Sequence, residues 1–329
     1  MRVLITGAAG RLARHLVPAL YARDFKLTLL DKSGESVRES LKRAKLVDFE
    51  KIKIIEADLT TAPESVLRDA CTGCEAVVHL AALLDYASSR KQFFEVNVNA
   101  TKRLLDATRA AGTVKRFAYI SSTSVYGQKS GDNAVSEESE FAPTNAYGES
   151  KLAAEQAVRE SGLPFVILRP SVIYGIDFTE GFSQVVSGIK SGKLKLIGDG
   201  GNKIAFVHVD DVVQAILLAL EKKEALGQDF IIAGEPVTQS QAFDAVADVL
   251  GVPRVEKRVS KSLAYLAARF ETLKARLSGR KPKLTKENVA TICENRFFDC
   301  SKARRLLGFK PRVAFEDGVS EVVSSLAAR

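Results

Sequence analysis

The fold is decided by the opening stretch Arg2-Val3-Leu4-Ile5-Thr6-Gly7-Ala8-Ala9-Gly10-Arg11-Leu12-Ala13. Residues 3–6 form an apolar run of strand length, and residues 11–22 have the apolar spacing of a helix. Between them, Gly7 and Gly10 let the backbone approach an anion, which the free N–H groups at the start of a helix stabilise. The opening therefore predicts a strand, a tight turn and a helix that together hold a pyrophosphate.

Apolar runs of strand length recur through the first two thirds of the chain, separated by segments with helical spacing. The predicted strands are residues 3–6, 27–30, 52–56, 76–80, 117–121 and 165–168. The predicted helices are residues 11–22, 93–111 and 146–160. This alternation predicts an α/β fold of the Rossmann type, with a doubly wound parallel sheet.

Beyond Pro170 the alternation loosens, although a strand and helix are predicted at 205–220 and a further strand at 230–233. We expect residues 1–170 and 205–233 to form a dinucleotide-binding Rossmann domain. Residues 171–204 and 234–329 are expected to form a smaller, mostly helical C-terminal lobe that binds the substrate.

Composition excludes several classes of protein. With 329 residues, 46% of them hydrophobic, the chain can bury a large core, so a disordered or fibrous protein is excluded. No apolar run is long enough to span a bilayer and no secretory leader precedes the first strand, so a cytoplasmic location is expected. Cys71 and Cys74 form a CxxC pair far from Cys293 and Cys300, a spacing that favours small buried side chains over a metal site.

The net charge of +8 is concentrated in one segment. Residues 254–286 contain eleven Lys and Arg residues against Glu256 and Glu271, a local charge of +9, which leaves about −1 for the rest of the chain. This distribution argues against a general surface for nucleic acid.

Asp31 lies at the end of the second predicted strand, twenty-four residues after Gly7. A carboxylate at this place accepts hydrogen bonds from an adenosine ribose and repels the additional phosphate of NADP. The sequence therefore favours NAD, with NADP kept as the less favoured cofactor because Arg11 and Lys32 are near in sequence.

Tyr147 and Lys151 are four residues apart in a predicted helix, so their side chains share one face. An ammonium group and a cationic nicotinamide ring both favour the phenolate of a nearby tyrosine, which makes it an acid and base. The alternative is an exposed helix that carries an ordinary lysine. Ser122 belongs to a hydroxyl-rich segment after the fifth strand, where a hydroxyl can donate to a substrate oxygen or cap the next segment.

These motifs, taken in order, resemble the extended short-chain dehydrogenase/reductase family, which includes NAD-dependent epimerase/dehydratases and 3β-hydroxysteroid dehydrogenase-like enzymes. The resemblance covers nearly the whole chain. It rests on Thr6-Gly7-x-x-Gly10, Asp58-Leu59, His79-Leu80-Ala81-Ala82, Asn97-Val98, Ser121-Ser122 with Val125-Tyr126-Gly127, Tyr147-x-x-x-Lys151, Arg169-Pro170, Phe206-Val207-His208-Val209-Asp210-Asp211 and Phe298-Asp299-x-Ser301-Lys302-Ala303.

The resemblance implies a role for each matching residue. Ser122, Tyr147 and Lys151 would be catalytic, with Lys151 also holding the nicotinamide ribose and lowering the pKa of Tyr147. The cofactor would contact Gly7, Gly10, Arg11, Leu12, Asp31, Lys32, Asp58, Leu59, Leu80, Ala81, Ala82, Asn97, Ser121, Tyr147, Lys151, Pro170 and Val172. The substrate would contact Leu83, Thr123, Ser124, Lys203 and His208.

Two positions bear on the substrate. Nucleotide-sugar members of the family commonly carry polar residues where this chain has Val172 and Ile204-Ala205. The sequence of residues 169–175 and the helical stretch 261–284 resemble the 3β-hydroxysteroid or sterol dehydrogenase-like branch more than the nucleotide-sugar members. An apolar, sterol-like alcohol or ketone is therefore favoured as the substrate.

Several alternatives stay open at this point. One is a nucleotide-sugar 4-epimerase or dehydratase with transient oxidation by NAD, and another is a non-catalytic dinucleotide-binding redox sensor. The basic amphipathic stretch 261–284 would lie on a membrane surface, cover the substrate or pack on the lobe with a solvated cationic face. Helices 93–111 and 146–160 would pair two subunits as in related enzymes, so a homodimer is expected.

Overall fold

The computed structural model describes residues 1–46, 50–127, 133–278, 285, 289–290 and 294–327. The strands in these residues are β1 (Arg2–Thr6), β2 (Lys26–Asp31), β3 (Ile52–Glu56), β4 (Ala76–His79), β5 (Arg116–Ile120), β6 (Phe165–Pro170), β7 (Val172–Tyr174), β8 (Leu196–Ile197), β9 (Lys203–His208), β10 (Gln228–Ile232), β11 (Pro236–Thr238) and β12 (Arg258–Val259). The α-helices are α1 (Arg11–Tyr21), α2 (Gly34–Arg43), α3 (Glu64–Cys71), α4 (Arg90–Phe94), α5 (Ala100–Ala111), α6 (Ala146–Glu160), α7 (Glu180–Lys190), α8 (Val209–Glu221), α9 (Gln239–Leu250), α10 (Lys261–Ser278), α11 (Ser301–Leu307) and α12 (Phe315–Ala327).

Buried Val, Ile and Leu runs form a parallel sheet of seven strands in the described part of the chain. Its order is β10-β6-β5-β4-β1-β2-β3. The chain builds the sheet outward from β1 to β3 on one side and from β4 to β10 on the other, so the topological switch point lies between β1 and β4. In such sheets the carboxyl ends of the strands beside this switch point form the ligand crevice. The predicted doubly wound Rossmann-type fold is confirmed.

Helices cover both faces of this sheet, which is why its strands are apolar on both sides. One face packs against α1, α2, α8 and α11. The other packs against α3, α5 and α6. Cys71 and Cys74 are fully buried in this second layer, as expected of small apolar side chains, whereas Cys293 lies outside the described residues.

The predicted helix 146–160 matches α6, but the predicted helix 93–111 is interrupted. A π-helical turn, Glu95–Asn99, separates α4 from α5. This turn contains Asn97, whose buried side chain bonds groups outside the helix, a tertiary preference that apolar spacing does not reveal.

The remaining elements form an accessory layer over the carboxyl ends of the central strands. A sheet of order β11-β9-β7 and the short pair β12-β8 pack with α7, α9 and α12 around a separate cluster that includes Phe182, Phe243 and Val319. β9 pairs in this smaller sheet, whereas the following α8 packs on the large one. The division of the chain into two lobes stays a prediction.

None of the helices in the described ranges combines the length and the hydropathy needed to cross a bilayer.

Candidate active site

A cavity of about 1530 Å³ opens at the carboxyl ends of the central strands and extends beneath the accessory layer. One end is formed by the glycine-rich turn after β1. The middle contains Ser122, Tyr147 and Lys151. The far end is mostly apolar, with Phe182, Val185, Ile204, Phe206, Phe243, Val259, Leu263, Ala264 and Ala267 in its wall.

The glycine-rich turn lets neighbouring backbone and a bound ligand approach it closely. Gly7 has a φ of +67°, and a Cβ there would lie 2.8 Å from the backbone of Ala81. Gly10 is the N-cap of α1 and has no side chain to occupy the free N–H groups of that helix. The turn therefore fits a pyrophosphate, because these N–H groups and the helix dipole point into the cavity end.

Asp31 fixes this turn. Its Oδ2 accepts a hydrogen bond of 3.0 Å from the N–H of Ala9, and its Oδ1 accepts one of 3.1 Å from the N–H of Ser33. Each carboxylate oxygen retains a lone pair for a further donor, so the place of Asp31 at the end of β2 fits an adenosine ribose.

Ser122 and Tyr147 line the same part of the cavity, where Ser122 Oγ donates a 3.0 Å hydrogen bond to Ser124 Oγ. Gly148, the residue after Tyr147, lets α6 pack closely on this segment, since a Cβ there would lie 2.6 Å from the carbonyl oxygen of Ser124. The Asn145 side chain caps α6 by accepting a 2.8 Å hydrogen bond from the N–H of Gly148. The first turn of α6 is thus packed directly on the serine-rich segment after β5.

Lys151 is 2% exposed and lies behind Tyr147 on α6. Its Nζ donates a 2.5 Å hydrogen bond to the carbonyl oxygen of Ile120 and lies 4.4 Å from the centre of the Tyr119 ring. Burial lowers the pKa of Lys151 to about 7, and the charge of Glu155 opposes this effect. The lysine is therefore a group that exchanges protons near neutral pH.

Burial dominates the surroundings of the Tyr147 hydroxyl. Burial raises the pKa of Tyr147, Tyr86 raises it further, and the hydrogen bond from Ser122 lowers it. The Lys151 ammonium group donates to Ile120, and burial lowers its own pKa, so its expected lowering of the Tyr147 pKa stays a prediction. In this structure Tyr147 is a neutral hydroxyl, ready to donate a proton.

Two buried networks hold α6 in place. The Asn97 side chain accepts a 2.7 Å hydrogen bond from the N–H of Leu83 and donates one of 2.9 Å to Ser150 Oγ, next to Lys151. Arg169, fully buried on β6, donates to both Glu155 carboxylate oxygens at 2.9 and 2.7 Å and also binds Asp229. These contacts join α6 to the loop after β4, to β6 and to β10.

Most predicted site residues line the cavity. They are Gly7, Gly10, Arg11, Leu12, Leu80, Ala82, Ser121, Ser122, Thr123, Ser124, Tyr147, Lys151, Pro170 and Val172. Asp31, Ala81 and Asn97 support its wall from behind, as described above.

Three predicted cofactor residues lie away from the lining. Lys32 is exposed beyond β2. Asp58 is exposed, and hydrogen bonds from Thr60 lower its pKa. Leu59 is buried in the core against α3 and α5, and its carbonyl oxygen accepts a 2.5 Å hydrogen bond from Arg103. Their roles at the adenine end stay predictions.

Three predicted substrate residues lie outside the cavity lining, and their roles stay predictions. His208 is buried outside the cavity, where its ring caps α8 and lies 3.1 Å from Glu321. Lys203 is exposed, with its Nζ 5.8 Å from the centre of the Phe297 ring. Leu83 is held by Asn97 through its backbone, and the next residue, Leu84, lines the cavity instead.

Sequence reasoning missed Tyr86 and Arg296, which both line the cavity. The Tyr86 ring packs edge-on against the Tyr147 ring, with centroids 5.8 Å apart. Tyr86 follows β4 in the same loop as the matched Leu80-Ala81-Ala82 stretch, so its position after a strand end was an available signal. Arg296 lies just before the matched Phe298-Asp299 stretch, and no predicted strand end or motif in the sequence pointed to it.

Comparison with known proteins agrees with this geometry. Residues 3–233 match the NAD dependent epimerase/dehydratase family. The chain belongs to this family. It is accordingly an NAD-dependent enzyme of the extended short-chain dehydrogenase/reductase type, as its glycine-rich turn and its Ser122, Tyr147 and Lys151 indicate.

The similar proteins include a reductase and a hydroxysteroid dehydrogenase as well as a UDP-sugar epimerase. The chain is 29% identical to the 2-alkyl-3-oxoalkanoate reductase of Stenotrophomonas maltophilia, with all of both chains covered. It is 28% identical to isoform 1 of the 3beta-hydroxysteroid-dehydrogenase/decarboxylase of Arabidopsis thaliana, over 98% of this chain and 79% of that protein. The UDP-glucuronic acid 4-epimerase of Bacillus cereus in complex with NAD has a TM-score of 0.75 at 25% identity, with 99% of each chain covered. The predicted likeness to the hydroxysteroid dehydrogenase-like branch is confirmed.

Proposed function

We propose that this protein transfers a hydride reversibly between NAD and a secondary alcohol or ketone carried on an apolar body. The observation that carries the proposal is the placement of Ser122, Tyr147 and Lys151 between a dinucleotide-shaped turn and an apolar cavity end. The two relatives named for reductase and hydroxysteroid dehydrogenase activities support this substrate type.

In the direction of reduction, NADH supplies the hydride to the carbonyl carbon. The Tyr147 hydroxyl donates its proton to the carbonyl oxygen, so the C=O double bond becomes a C–O–H group. The Ser122 hydroxyl donates a hydrogen bond to the same oxygen as negative charge develops on it. Lys151 would hold the nicotinamide ribose, and with its pKa near 7 it can exchange a proton near neutral pH.

The cofactor preference follows from the adenosine end. Asp31 leaves its negative charge where the 2′-phosphate of NADP would lie, so we expect NAD to be used in preference to NADP. Arg11 and the exposed Lys32 are the cations that keep NADP as the less favoured alternative.

The test of this function is a turnover screen. Purified protein is given NAD or NADP with sterols, long-chain secondary alcohols, simple alcohols, uronates and UDP-sugars, and the absorbance of the reduced cofactor is followed. We expect net NADH formation with the apolar alcohols. Inversion of a UDP-sugar without net NADH would instead establish the epimerase alternative, which the similarity to the Bacillus cereus enzyme favours.

We further propose that α10 lies on the surface of an anionic membrane. Its small residues Ala264, Ala268 and Ala275 face the protein and are buried. Its largest apolar side chains face outward, with Leu263, Leu266, Phe270, Leu273 and Leu277 exposed by 55, 48, 64, 55 and 83%. Side chains of this size expose a contiguous apolar stripe, which water disfavours.

Charge and position together favour a lipid surface as the partner of this stripe. Lys261, Arg269 and Lys274 lie on the same helix, within the segment of local charge +9, and attract anionic headgroups. Leu263, Ala264 and Ala267 also line the cavity, so a lipid-dissolved substrate would enter it from beneath α10.

A vesicle experiment tests this contact. We expect the protein to sediment with phosphatidylglycerol/phosphatidylcholine vesicles, and the Leu266→Glu/Phe270→Glu variant to lose at least about tenfold in affinity. Val249→Glu, at a position on α9 that is 38% exposed, is the matched control. The membrane contact would be wrong if the wild-type protein did not sediment with these vesicles. If the double variant were also monomeric where the wild type is dimeric, the stripe would bind a second copy of the chain.

Two further parts of the proposal concern the state of the protein. We propose a cytoplasmic homodimer that pairs through α5 and α6, where the small half-buried side chains of Ala153 and Ala157 allow close approach of two helices. The mass measured by light scattering is expected to be that of two chains, and a single-chain mass would overturn this proposal.

A further inference from the structure

Arg296 is a cation fixed in the cavity wall. Its backbone N–H donates a 2.7 Å hydrogen bond to the carbonyl oxygen of Lys203, and its carbonyl oxygen accepts one of 2.8 Å from the N–H of Ala205. These two bonds bridge the residue to β9, so the position of its side chain is set by a strand rather than by a free loop. The side chain is half-buried and lines the cavity.

The guanidinium group of Arg296 has no ion-pair partner among the described residues, where no carboxylate oxygen lies within 4.0 Å of it. Burial lowers the pKa of Arg296, and the more distant Tyr86 and Glu294 only oppose this effect. Arg169 shows the usual arrangement of a buried arginine in this protein, with Glu155 and Asp229 bound directly. A half-buried guanidinium without an ion-pair partner is well suited to bind an anion.

The cavity as a whole favours an anion. Among the described residues of its lining there is no Asp or Glu. Lys193 and Lys195 stand at its exposed rim, and Lys151 lies in its middle. The far end of the wall is mostly apolar, so the lining is complementary to a molecule with one acidic group and an apolar body.

Arg296 shares the cavity with the proton donor Tyr147 and with Tyr86. The Tyr86 ring packs edge-on against the Tyr147 ring, and the charge of Arg296 acts on the Tyr86 hydroxyl. A substrate whose oxygen binds Tyr147 can therefore extend an acidic group to Arg296.

We propose that Arg296 binds the carboxylate of a 3-hydroxy or 3-oxo acid with an apolar body, and thereby selects such acids over neutral alcohols and ketones. This inference rests on the proposed function for the identity of the reaction. In oxidation of the 3-hydroxy acid, Tyr147 must first lose its own proton; the substrate O–H proton then passes to the Tyr147 phenolate and the C–H hydride to NAD, which leaves the 3-oxo acid. The carboxylate takes no part in bond breaking and remains paired with Arg296.

The experiment compares acids with matched neutral esters. Oxidation of 3-hydroxydecanoate and of its methyl ester by NAD is measured for wild type and for Arg296→Met. We expect the variant to raise KM for the acid by about 10- to 100-fold, the range of a lost charge-assisted hydrogen bond, with both KM and kcat for the ester unchanged. Arg254→Met, which removes an exposed guanidinium paired with Asp248 outside the cavity, is the control.

Binding measured without turnover separates the inference from the proposed function. Calorimetry of decanoate and methyl decanoate on the NAD-loaded protein should show tighter binding of the acid, lost in Arg296→Met and partly kept in Arg296→Lys. Arg296-dependent binding of decanoate without any turnover would retain the inference and reject the proposed reaction. Turnover that treats acid and ester alike in both proteins would retain the reaction and overturn the inference.

UDP-glucose is the remaining probe, because a guanidinium also binds diphosphates. If UDP-glucose binds wild type more tightly than decanoate and loses that affinity in Arg296→Met, the carboxylate assignment is wrong. Thermal unfolding of each variant shows whether the fold is intact.

Discussion

At the scale of single residues, burial decides the chemistry of the site. Tyr147 and Lys151 are both buried, so burial raises the pKa of the tyrosine and lowers that of the lysine. The two shifts disfavour the charged forms of both groups. A neutral tyrosine suits proton donation in the direction of reduction, and a lysine with a pKa near 7 suits proton return.

Lys151 should make stability depend on pH. Its pKa falls from 10.5 in the unfolded chain to about 7 in the folded one, so between these values the unfolded chain binds more protons. The charged lysine therefore destabilises the fold below pH 7, and this penalty is relieved as pH rises towards the unfolded value. Lys151→Met removes the effect.

Denaturant unfolding at about pH 6 and about pH 9.5 measures this difference. The free energy of unfolding of Lys151→Met relative to wild type should be higher at the lower pH by about 3 kcal/mol. Lys222→Met, at an exposed lysine, is the matched control. An equal difference between Lys151→Met and wild type at both pH values would show that burial does not disfavour the ammonium group.

At the scale of elements, the position of α6 determines whether the site exists. This helix carries Tyr147 and Lys151, and its attachments are polar as well as apolar. Glu155, 1% exposed, binds Arg169 through both oxygens and thereby joins α6 to β6. Asp229 extends the same network to β10.

Arg169→Met should be strongly destabilising. The change leaves the Glu155 carboxylate buried, with Arg159 at 3.8 Å as its one remaining cation among the described residues, and such unpaired charges cost about 3–5 kcal/mol. Arg23→Met breaks the exposed pair with Glu221, in which both side chains are nearly half exposed, and should cost less than about 1 kcal/mol. Urea unfolding compares the two variants, and equal losses would contradict the role given to the network.

At the scale of the whole molecule, the sequence predicts the parts that repeat or run continuously. Strands β1 to β6 were predictable because each is a short apolar run, and α6 because its apolar spacing continues unbroken from Ala146 to Glu160. Ser122, Tyr147 and Lys151 were predictable because they belong to an ordered set of motifs.

The rest depends on tertiary contacts that spacing does not encode. His208 precedes a helix, and the structure turns its ring to cap that helix rather than to face the substrate. Tyr86 and Arg296 meet in the cavity only because the loop after β4 and the residues beside β9 converge there. Phe270 and its apolar neighbours on α10 face outward because the alanines of this helix, rather than its large side chains, pack against the protein. Apolar spacing alone does not distinguish these two faces.

The rate of hydride transfer in Tyr147→Phe tests the role of Tyr147 as proton donor most directly. It is measured in single turnovers beside Tyr86→Phe, with NAD affinity determined by calorimetry. Both variants should bind NAD as wild type does. Tyr147→Phe should lose about 10²- to 10⁴-fold in rate because no hydroxyl remains to exchange the proton, whereas Tyr86→Phe should retain most of it. A Tyr147→Phe enzyme that transfers hydride at the wild-type rate would contradict the assignment of Tyr147 as the proton donor.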